Sequence, residues 1–154
     1  MRLDTILGSN SVRILTAISS KKRLFHELGD MADSRFGLPS EQVVEALVER
    51  EALGPTGVGH GIALPHARMK GLETVSGLFL KLEKGLDFDS VDRMPVDLVF
   101  CLLAPADAGV EHLKALALVS RTMRDRSLCA KLRANADPDA LHAMLTATET
   151  HQAA

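Results

Sequence analysis

The sequence contains no tryptophan, no tyrosine and only two cysteines among its 154 residues. The missing aromatic rings remove most of the surfaces on which nucleic-acid bases stack. A formal net charge of −2 also gives no general attraction to a phosphate backbone. Two cysteines are too few for a disulfide scaffold, and Cys101 lies in an apolar run that predicts a buried thiol. We therefore expect no nucleic-acid partner and no disulfide-rich fold.

Long apolar runs are also missing. No segment approaches the roughly 20 apolar residues that a membrane-spanning helix needs, and no charged and apolar leader pattern opens the sequence. We expect a cytoplasmic protein without membrane insertion. Hydrophobic residues make up 46% and charged residues 25% of the chain, as in ordinary globular proteins. The length predicts one domain over residues 1–150, followed by a frayed tail of residues 151–154.

Three glycines are concentrated in the stretch of residues 56–68, which reads TGVGHGIALPHAR. Gly57, Gly59 and Gly61 carry no Cβ atoms, so successive backbone N–H groups can turn towards one point and approach an anion closely. The Thr56 hydroxyl adds a further donor. This pattern predicts an anion-binding turn.

The second half of the stretch predicts how a histidine is presented. Residues 62–64 form a short apolar run typical of a buried strand. Pro65 lacks an N–H group, so we expect the strand to end there and His66 to lie at its mouth. His66 is the candidate working residue, and we expect apolar surface from Ile62, Leu64 and Met69 around it.

Three other interpretations have to be weighed against an anion-binding turn with a working histidine. A phosphate-binding P-loop needs Gly-Lys-Ser/Thr at a helix start, which is absent here. His60, His66 and His112 are three conceivable metal ligands, although no cysteine or carboxylate neighbours them at ligand spacing. His66 alone is equally typical of a structural histidine hydrogen-bonded at a strand end.

The combined pattern of residues resembles a known family. Arg50, the segment from Thr56 to His66 and the later Glu111-His112-Leu113 are similar to the signature of the enzyme IIA family of the bacterial phosphotransferase system. The resemblance is to the fructose/mannitol type, and within it to the free-standing nitrogen-regulatory member. It extends from about residue 3 to about residue 149.

This resemblance implies a function and a set of roles. The histidine of the Pro-His step accepts a phosphoryl group through Nε2 from a small HPr-like phosphocarrier protein. His66, His112 and Arg50 are then the catalytic candidates, and Thr56, Gly57, Gly59, His60 and Gly61 the phosphate-binding candidates. No metal and no cofactor is implied. The protein would be a phosphotransferase component with a phosphohistidine intermediate, rather than an enzyme that turns over alone.

Two biological roles remain possible under that resemblance. The first is a nitrogen or metabolic regulator whose phosphorylation state selects its target proteins. The second is a sugar-transport component that passes phosphate to a permease domain. The sequence carries no fused transport domain, which favours regulation, and we expect a monomer or weak dimer.

Two positions depart from the family pattern. Members often carry Asn or an acid where this chain has His60, and Gly where it has Ala67. A second imidazole could tune phosphorylation or respond to protons. Ala67 puts in doubt any step that needs a left-handed backbone at that position.

Helices before, between and after the predicted strands indicate an α/β three-layer fold, and the resemblance implies the same α/β/α architecture with a mixed central sheet of about five strands. We expect strands over residues 11–17, 62–64, 75–82 and 96–104. Helices are expected over residues 21–36, 40–52, 110–124, 127–133 and from residue 137 onward. Ser20, Ser40, Ser127 and Asp137 are the predicted caps, and Gly37 is predicted to end the helix of residues 21–36. The helix predicted over residues 110–124 carries apolar residues on all sides. This pattern predicts that the helix, including Leu113, is deeply buried.

Basic residues open the first long helix, at Lys21, Lys22 and Arg23. They are interpreted as a solvated helix start or, alternatively, as a landing patch for a partner. His26, His142 and His151 fall on helix surfaces or in the tail, and we assign them no role.

Overall fold

The computed structural model describes the backbone of residues 1–153 and the side-chain surroundings of residues 1–147. The predicted frayed tail of residues 151–154, with His151, lies outside the part whose side chains are described. The described part contains six strands and six helices. They are α1 (Leu3–Ile6), β1 (Val12–Leu15), α2 (Lys21–Phe36), α3 (Ser40–Ala52), β2 (Gly57–Gly59), β3 (Ile62–Ala63), β4 (His66–Met69), β5 (Ser76–Leu86), β6 (Val96–Pro105), α4 (Val110–Met123), α5 (Arg126–Arg133) and α6 (Pro138–Ala153).

The strands form one mixed sheet in the order β1-β5-β6-β3-β2, and β4 pairs with β6 beyond β3. β6 is the centre of the sheet, because β5 pairs with it antiparallel while β3 and β4 pair with it parallel. The predicted mixed α/β sheet is confirmed. It has six strands rather than about five, because the chain re-enters the sheet after Pro65.

Two hydrophobic cores lie on the two faces of this sheet, and β6 contributes to both. Cys101 and Leu103 pack with α2 and α3 on one face. Phe100 and Leu102 pack with α1, α4, α5 and α6 on the other. This alternation follows from the two-residue period of a strand. Burial of the Cys101 thiol raises its pKa to about 12, as expected for an inert core cysteine.

The helix ends test the predicted caps. The Ser20 side chain accepts from the N–H of Arg23, and Gly37 ends α2 with a left-handed φ of 70°, as predicted. The predicted cap at Ser40 is wrong: Pro39 is the N-cap, and the Ser40 hydroxyl donates to Asp30 instead. The Ser127 prediction is also wrong, because Asp125 lies one residue before α5 and accepts from the N–H of Leu128.

Helix α4 is buried on one side only. Ala115, Leu118 and Val119 are buried, whereas Leu113 is 65% exposed. The predicted all-round burial is therefore wrong. Within the part of the chain that the structure describes, no helix is long and apolar enough to cross a membrane.

Candidate functional site

His66 is the first residue of β4, where it pairs with Leu102 of β6. Pro65 interrupts the edge of the sheet without ending it, because its carbonyl still accepts from the N–H of Leu102 at 2.9 Å. The strand of residues 62–64 does end before Pro65, because β3 covers Ile62–Ala63 only, but His66 begins the new strand β4 rather than lying at a strand mouth outside the sheet. The interruption separates β3 from β4 and leaves the His66 ring half-buried.

Two hydrogen bonds define the tautomer of His66. The Arg50 Nε–H donates to His66 Nε2 at 3.3 Å, so Nε2 carries the lone pair. Nδ1 then carries the proton and donates to the Leu64 carbonyl at 2.9 Å. The ring is therefore a neutral imidazole whose Nε2 is its nucleophilic nitrogen.

His112 lies beside His66 with its ring edge-to-face, at a centroid distance of 5.6 Å and an interplanar angle of 84°. The Arg68 Nε–H donates to His112 Nδ1 at 3.3 Å. The proton of neutral His112 is consequently on Nε2, and this buried nitrogen has no hydrogen-bond partner among the described residues. A buried donor without a partner is rare and costly, and here it adjoins the nucleophilic ring.

Arg68 is a site residue that the sequence interpretation missed. Residues two apart in a strand lie on the same face, so Arg68 in β4 shares the face of His66. The signal was therefore present in the sequence as a basic residue two positions after His66. Its partner, His112, lies 44 residues away and was not recognisable from spacing.

Both histidines have pKa values below the ordinary value of 6.5. Burial is the main cause for His66, and the Arg50 charge lowers the pKa further against the opposing Leu64 hydrogen bond. Burial also lowers the pKa of His112, followed by the charges of His66 and Arg68. The site thus favours two neutral imidazoles.

Arg50 is held at the end of α3 by its Nη1–H, which donates to the Gly54 carbonyl at 3.0 Å. The neighbouring Glu51 carboxylate accepts from the Thr56 N–H at 3.1 Å and from the Thr56 hydroxyl at 2.5 Å. It also accepts from Lys21 Nζ at 2.9 Å. The Thr56 hydroxyl is thus engaged in fixing the turn after α3, and Lys21 supports that turn.

The glycine turn lies away from His66. β2 and β3 form an antiparallel hairpin whose tip is His60-Gly61, and β3 starts at Ile62 opposite Leu98, whereas His66 lies opposite Leu102. Four residues of strand separate these levels by about 13 Å, and the tip lies further still. The structure therefore does not bring Gly59, His60 or Gly61 to His66.

Gly57 pairs with Ala63, and Ala63 pairs with Val99 of β6. Val99 comes three residues before Leu102, the partner of His66. Close packing accounts for the glycine at position 57, because an added Cβ would lie 2.2 Å from Ser90 Oγ. Gly61 has a φ of +79°, and a Cβ there would lie 2.6 Å from Arg133 Nη2. The glycines build a tight hairpin and do not form one concave anion site.

The hairpin geometry also excludes the three-histidine metal interpretation. His60 lies at the hairpin tip beyond Ile62, and Ile62 is already about 13 Å along the strands from His66. The Nε2 of His60 contacts Arg126 at 3.4 Å instead. His60, His66 and His112 cannot share one ion.

Ala67 lies within β4, opposite Leu103, and is buried. Its φ is not among the positive values of the described backbone. The departure from glycine is therefore compatible with the local backbone at this position.

The apolar surface near His66 differs from the prediction. Ile62, Leu64 and Met69 are buried, so they do not form an exposed surface. Exposed apolar side chains occur on the elements that carry Arg50 and His112: Leu53 directly after α3, and Val110 and Leu113 of α4, at 85%, 62% and 65% exposure. We refer to Leu53, Val110 and Leu113 as the apolar rim.

Comparison with known proteins agrees with this fold. Residues 5–148 match the family model described as "Phosphoenolpyruvate-dependent sugar phosphotransferase system, EIIA 2". The chain belongs to this EIIA 2 family.

The relatives point to a particular branch. The chain is 41% identical over 145 residues to a nitrogen regulatory protein of Bradyrhizobium diazoefficiens, covering 94% of this chain and 95% of that protein. It is 38% identical over 151 residues to the nitrogen regulatory protein of Escherichia coli K12, covering 97% and 92%. The crystal structure of the nitrogen regulatory protein IIA-Ntr from Neisseria meningitidis superimposes with a TM-score of 0.87 at 34% identity, covering 94% and 99%. The resemblance identified in the sequence is confirmed.

Proposed function

We propose that this protein accepts a phosphoryl group on His66 Nε2 from an HPr-like phosphocarrier protein and acts mainly as a nitrogen or metabolic regulator through its phosphorylation state. One observation carries the proposal. The His66 ring, whose Nε2 accepts from the Arg50 guanidinium, packs edge-to-face at 5.6 Å against the His112 ring, whose Nε2–H has no hydrogen-bond partner among the described residues.

The transfer step follows from the tautomers. The Nε2 lone pair of His66 attacks phosphorus, the N–P bond of the donor phosphohistidine breaks, and its electron pair returns to the donor ring. His66 keeps its Nδ1 proton, and the ring acquires positive charge that the Leu64 carbonyl stabilises. One imidazole replaces another, so the step needs no general acid and is nearly balanced in free energy.

The surrounding donors act on the phosphoryl oxygens. The N–H groups of Arg50 and the Nε2–H of His112 are placed to bind these oxygens as charge spreads over them. Arg68 is a positioning residue, because its hydrogen bond keeps the proton of His112 on Nε2. Glu51 and Thr56 position Arg50 through the turn that follows α3.

The direct test of this function is reconstitution of the relay. With phosphoenolpyruvate, the first enzyme of the system and the phosphocarrier protein, we expect a mass gain of one phosphoryl group that is stable in base and labile in acid. Omission of the phosphocarrier is the control. Absence of modification with an active carrier would contradict the proposal.

A pH titration tests the neutral state of the site. His66 and His112 have lowered pKa values in the fold, so in NMR their ring resonances should titrate with midpoints below 6.5 and move upward when the protein is unfolded in urea. The unfolded chain binds these protons more readily, so the free energy of unfolding should decrease as the pH falls through 6.5 towards the folded pKa values. Midpoints at or above 6.5 in the folded protein would contradict the assigned environment.

The regulatory role rests on the apolar rim. Phosphorylation adds nearly two negative charges at His66, whose neighbours Arg50 and His112 lie on the elements that carry the apolar rim. A partner that covers this rim must remove water from that charge, which costs several kcal/mol unless the partner supplies cations. We therefore expect a regulatory target to bind the unphosphorylated form, whereas the carrier brings basic residues and tolerates the phosphate.

Calorimetry with an identified target tests this switch. Affinity should fall by at least about tenfold on phosphorylation, given the cost of burying an uncompensated charge. A His66→Ala variant taken through the same relay should keep the affinity of the unphosphorylated form. Equal affinity for both forms would contradict the switch while leaving phosphoryl acceptance intact.

The second candidate role is sugar transport, which the description of the family model favours because it names a sugar phosphotransferase system. In that role, phosphorylated His66 passes the group to the cytoplasmic domain of a permease. Chasing the labelled protein with such a domain distinguishes the roles, since a transport component loses its label rapidly and a dedicated regulator retains it. Both roles place the protein in the cytoplasm with its carrier.

A further inference from the structure

A second concave site lies at the end of the sheet opposite His66. It is a cavity of about 810 Å³ between the hairpin tip and the adjoining ends of α4 and α5, and we call it the α4–α5 cavity. His112 lies in the first turn of α4 and Arg124 follows its last turn, so twelve residues along the helix separate them by about 18 Å. The cavity is therefore distinct from the phosphoryl-accepting site.

The floor of the α4–α5 cavity is apolar. Ile62, Met123 and Cys129 line it and are almost completely buried. Cys129 donates its thiol hydrogen to the Met123 carbonyl, which satisfies its one polar group. Sites for small organic molecules have volumes of about 300–1,000 Å³ and combine such a floor with a few polar groups.

Two arginines at the cavity have unused hydrogen-bonding capacity. The guanidinium of Arg124 has no hydrogen bond or ion pair to any residue in the part of the chain that the structure describes. Arg126 has one contact, from Nη2 to His60 Nε2 at 3.4 Å. A guanidinium carries five N–H donors and is well suited to phosphate and carboxylate.

Arg133 differs from these two arginines. Its Nε and Nη2 donate to the Asp97 carboxylate at 2.9–3.1 Å, and Nη2 also donates to the His60 carbonyl at 2.7 Å. Arg133 and Asp97 therefore neutralise each other and fix the hairpin. The positive charge of Arg124 and Arg126 is left for a ligand.

His60 is held in an unusual backbone conformation at this cavity. Its φ is +57°, a region that few non-glycine residues adopt. Its N–H donates to Asp92 at 2.8 Å and its carbonyl accepts from Arg133. The surroundings thus fix a strained residue, as is common at binding sites, and its imidazole lines the cavity beside Arg126.

We propose that the α4–α5 cavity binds a small organic anion, with one phosphate or carboxylate group on Arg124, Arg126 and His60 and an apolar body against Ile62 and Met123. Glu83 on the cavity wall disfavours a second anionic group, so the ligand carries a single one. The site is independent of phosphoryl transfer, because it uses none of the residues around His66.

The test is a titration of ¹⁵N-labelled protein with phenyl phosphate, benzoate and inorganic phosphate, followed residue by residue in ¹H–¹⁵N spectra. Phenyl phosphate or benzoate should produce saturable shifts at His60, Ile62 and Met123, and the tighter of the two identifies the anionic group. Inorganic phosphate should bind there at least about tenfold more weakly, because it buries no apolar surface.

Matched variants complete the test. The Arg124→Ala/Arg126→Ala double variant should lose about 100-fold or more in affinity for the tighter probe, since two charge-assisted contacts are removed. Arg121→Ala, an exposed arginine of α4 outside the cavity, should bind as the unaltered protein does. Both arginines of the double variant are exposed, so its thermal melting should be unchanged.

The outcomes are separable from those of the phosphoryl relay. His66→Ala should keep the cavity shifts, and the double arginine variant should still accept phosphate at His66. Shifts confined to the surroundings of His66, no shifts with any probe, or a double variant that binds like the unaltered protein would overturn the proposal.

Discussion

Replacing His66 by Ala should abolish phosphorylation of this protein by the reconstituted relay. The Nε2 lone pair of His66 accepts from the Arg50 guanidinium, and its Nδ1 proton is donated to the Leu64 carbonyl, so Nε2 is the nitrogen available for attack. Intact-mass measurement after the full incubation should show unmodified protein. The exposed His26, changed to Ala, is the matched control and should leave phosphorylation unaffected.

Neighbouring histidines should not substitute for His66. The Nδ1 lone pair of His112 is engaged by Arg68, and its Nε2 carries the proton. His60 lies at the opposite end of the sheet beside Arg126. Full modification of the His66→Ala variant would therefore contradict both the acceptor assignment and the tautomers from which it was derived.

Removing one of the two phosphoryl-stabilising donors should slow transfer by on the order of 10–1,000-fold. Arg50→Ala removes a guanidinium that already contacts the nucleophile. His112→Phe keeps a ring of similar volume at a position that is 6% exposed, and removes the Nε2–H donor. Single-turnover transfer from the phosphorylated carrier measures the rate directly.

Two controls separate catalysis from folding in that experiment. Arg121→Ala changes an exposed arginine of α4 and should leave the transfer rate unchanged. Circular dichroism and thermal melting should show folded protein for the Arg50 and His112 variants. Unchanged rates in both variants would mean that other groups bind the phosphoryl oxygens, even if His66 remains the acceptor.

The comparison of the sequence with the structure is clearest at Arg50 and His60. The resemblance supplied Arg50 as a site residue, and the structure places it on His66 Nε2. Closeness to His66 in the sequence was misleading for His60. Extended residues carry a side chain about 3.3 Å further per position, so a few residues of strand separate two groups that look adjacent.

Arg68 and His112 show why the rest of the site could not be read from spacing. Arg68 lies in β4, which pairs with β6, and His112 lies in α4, which follows β6. The contact between the two side chains therefore depends on strand pairing across tens of residues. The resemblance supplied His112, whereas Arg68 needed the strand assignment that Pro65 obscured. Long-range pairing of this kind leaves no local pattern in the sequence.

Helix boundaries followed local chemistry more closely than strands did. Ser20 and Gly37 bound α2 as predicted, because capping is decided by neighbouring backbone groups. At Ser40 and Ser127 another residue caps the helix, and Ser40 bonds to Asp30 of the preceding helix. Tertiary contacts thus overrode the local preference. The short strands β2 and β4 were missed for the same reason.

The most direct test of the central claim is to identify the nitrogen atom that carries the phosphoryl group. Protein labelled with ¹⁵N-histidine and phosphorylated through the relay should show, by phosphorus–nitrogen coupling in NMR, one phosphoryl group on Nε2 of His66. The Nδ1 proton should remain, donated to the Leu64 carbonyl as in the unmodified protein. Coupling to Nδ1 of His66, or to a nitrogen of His112 or His60, would contradict the account.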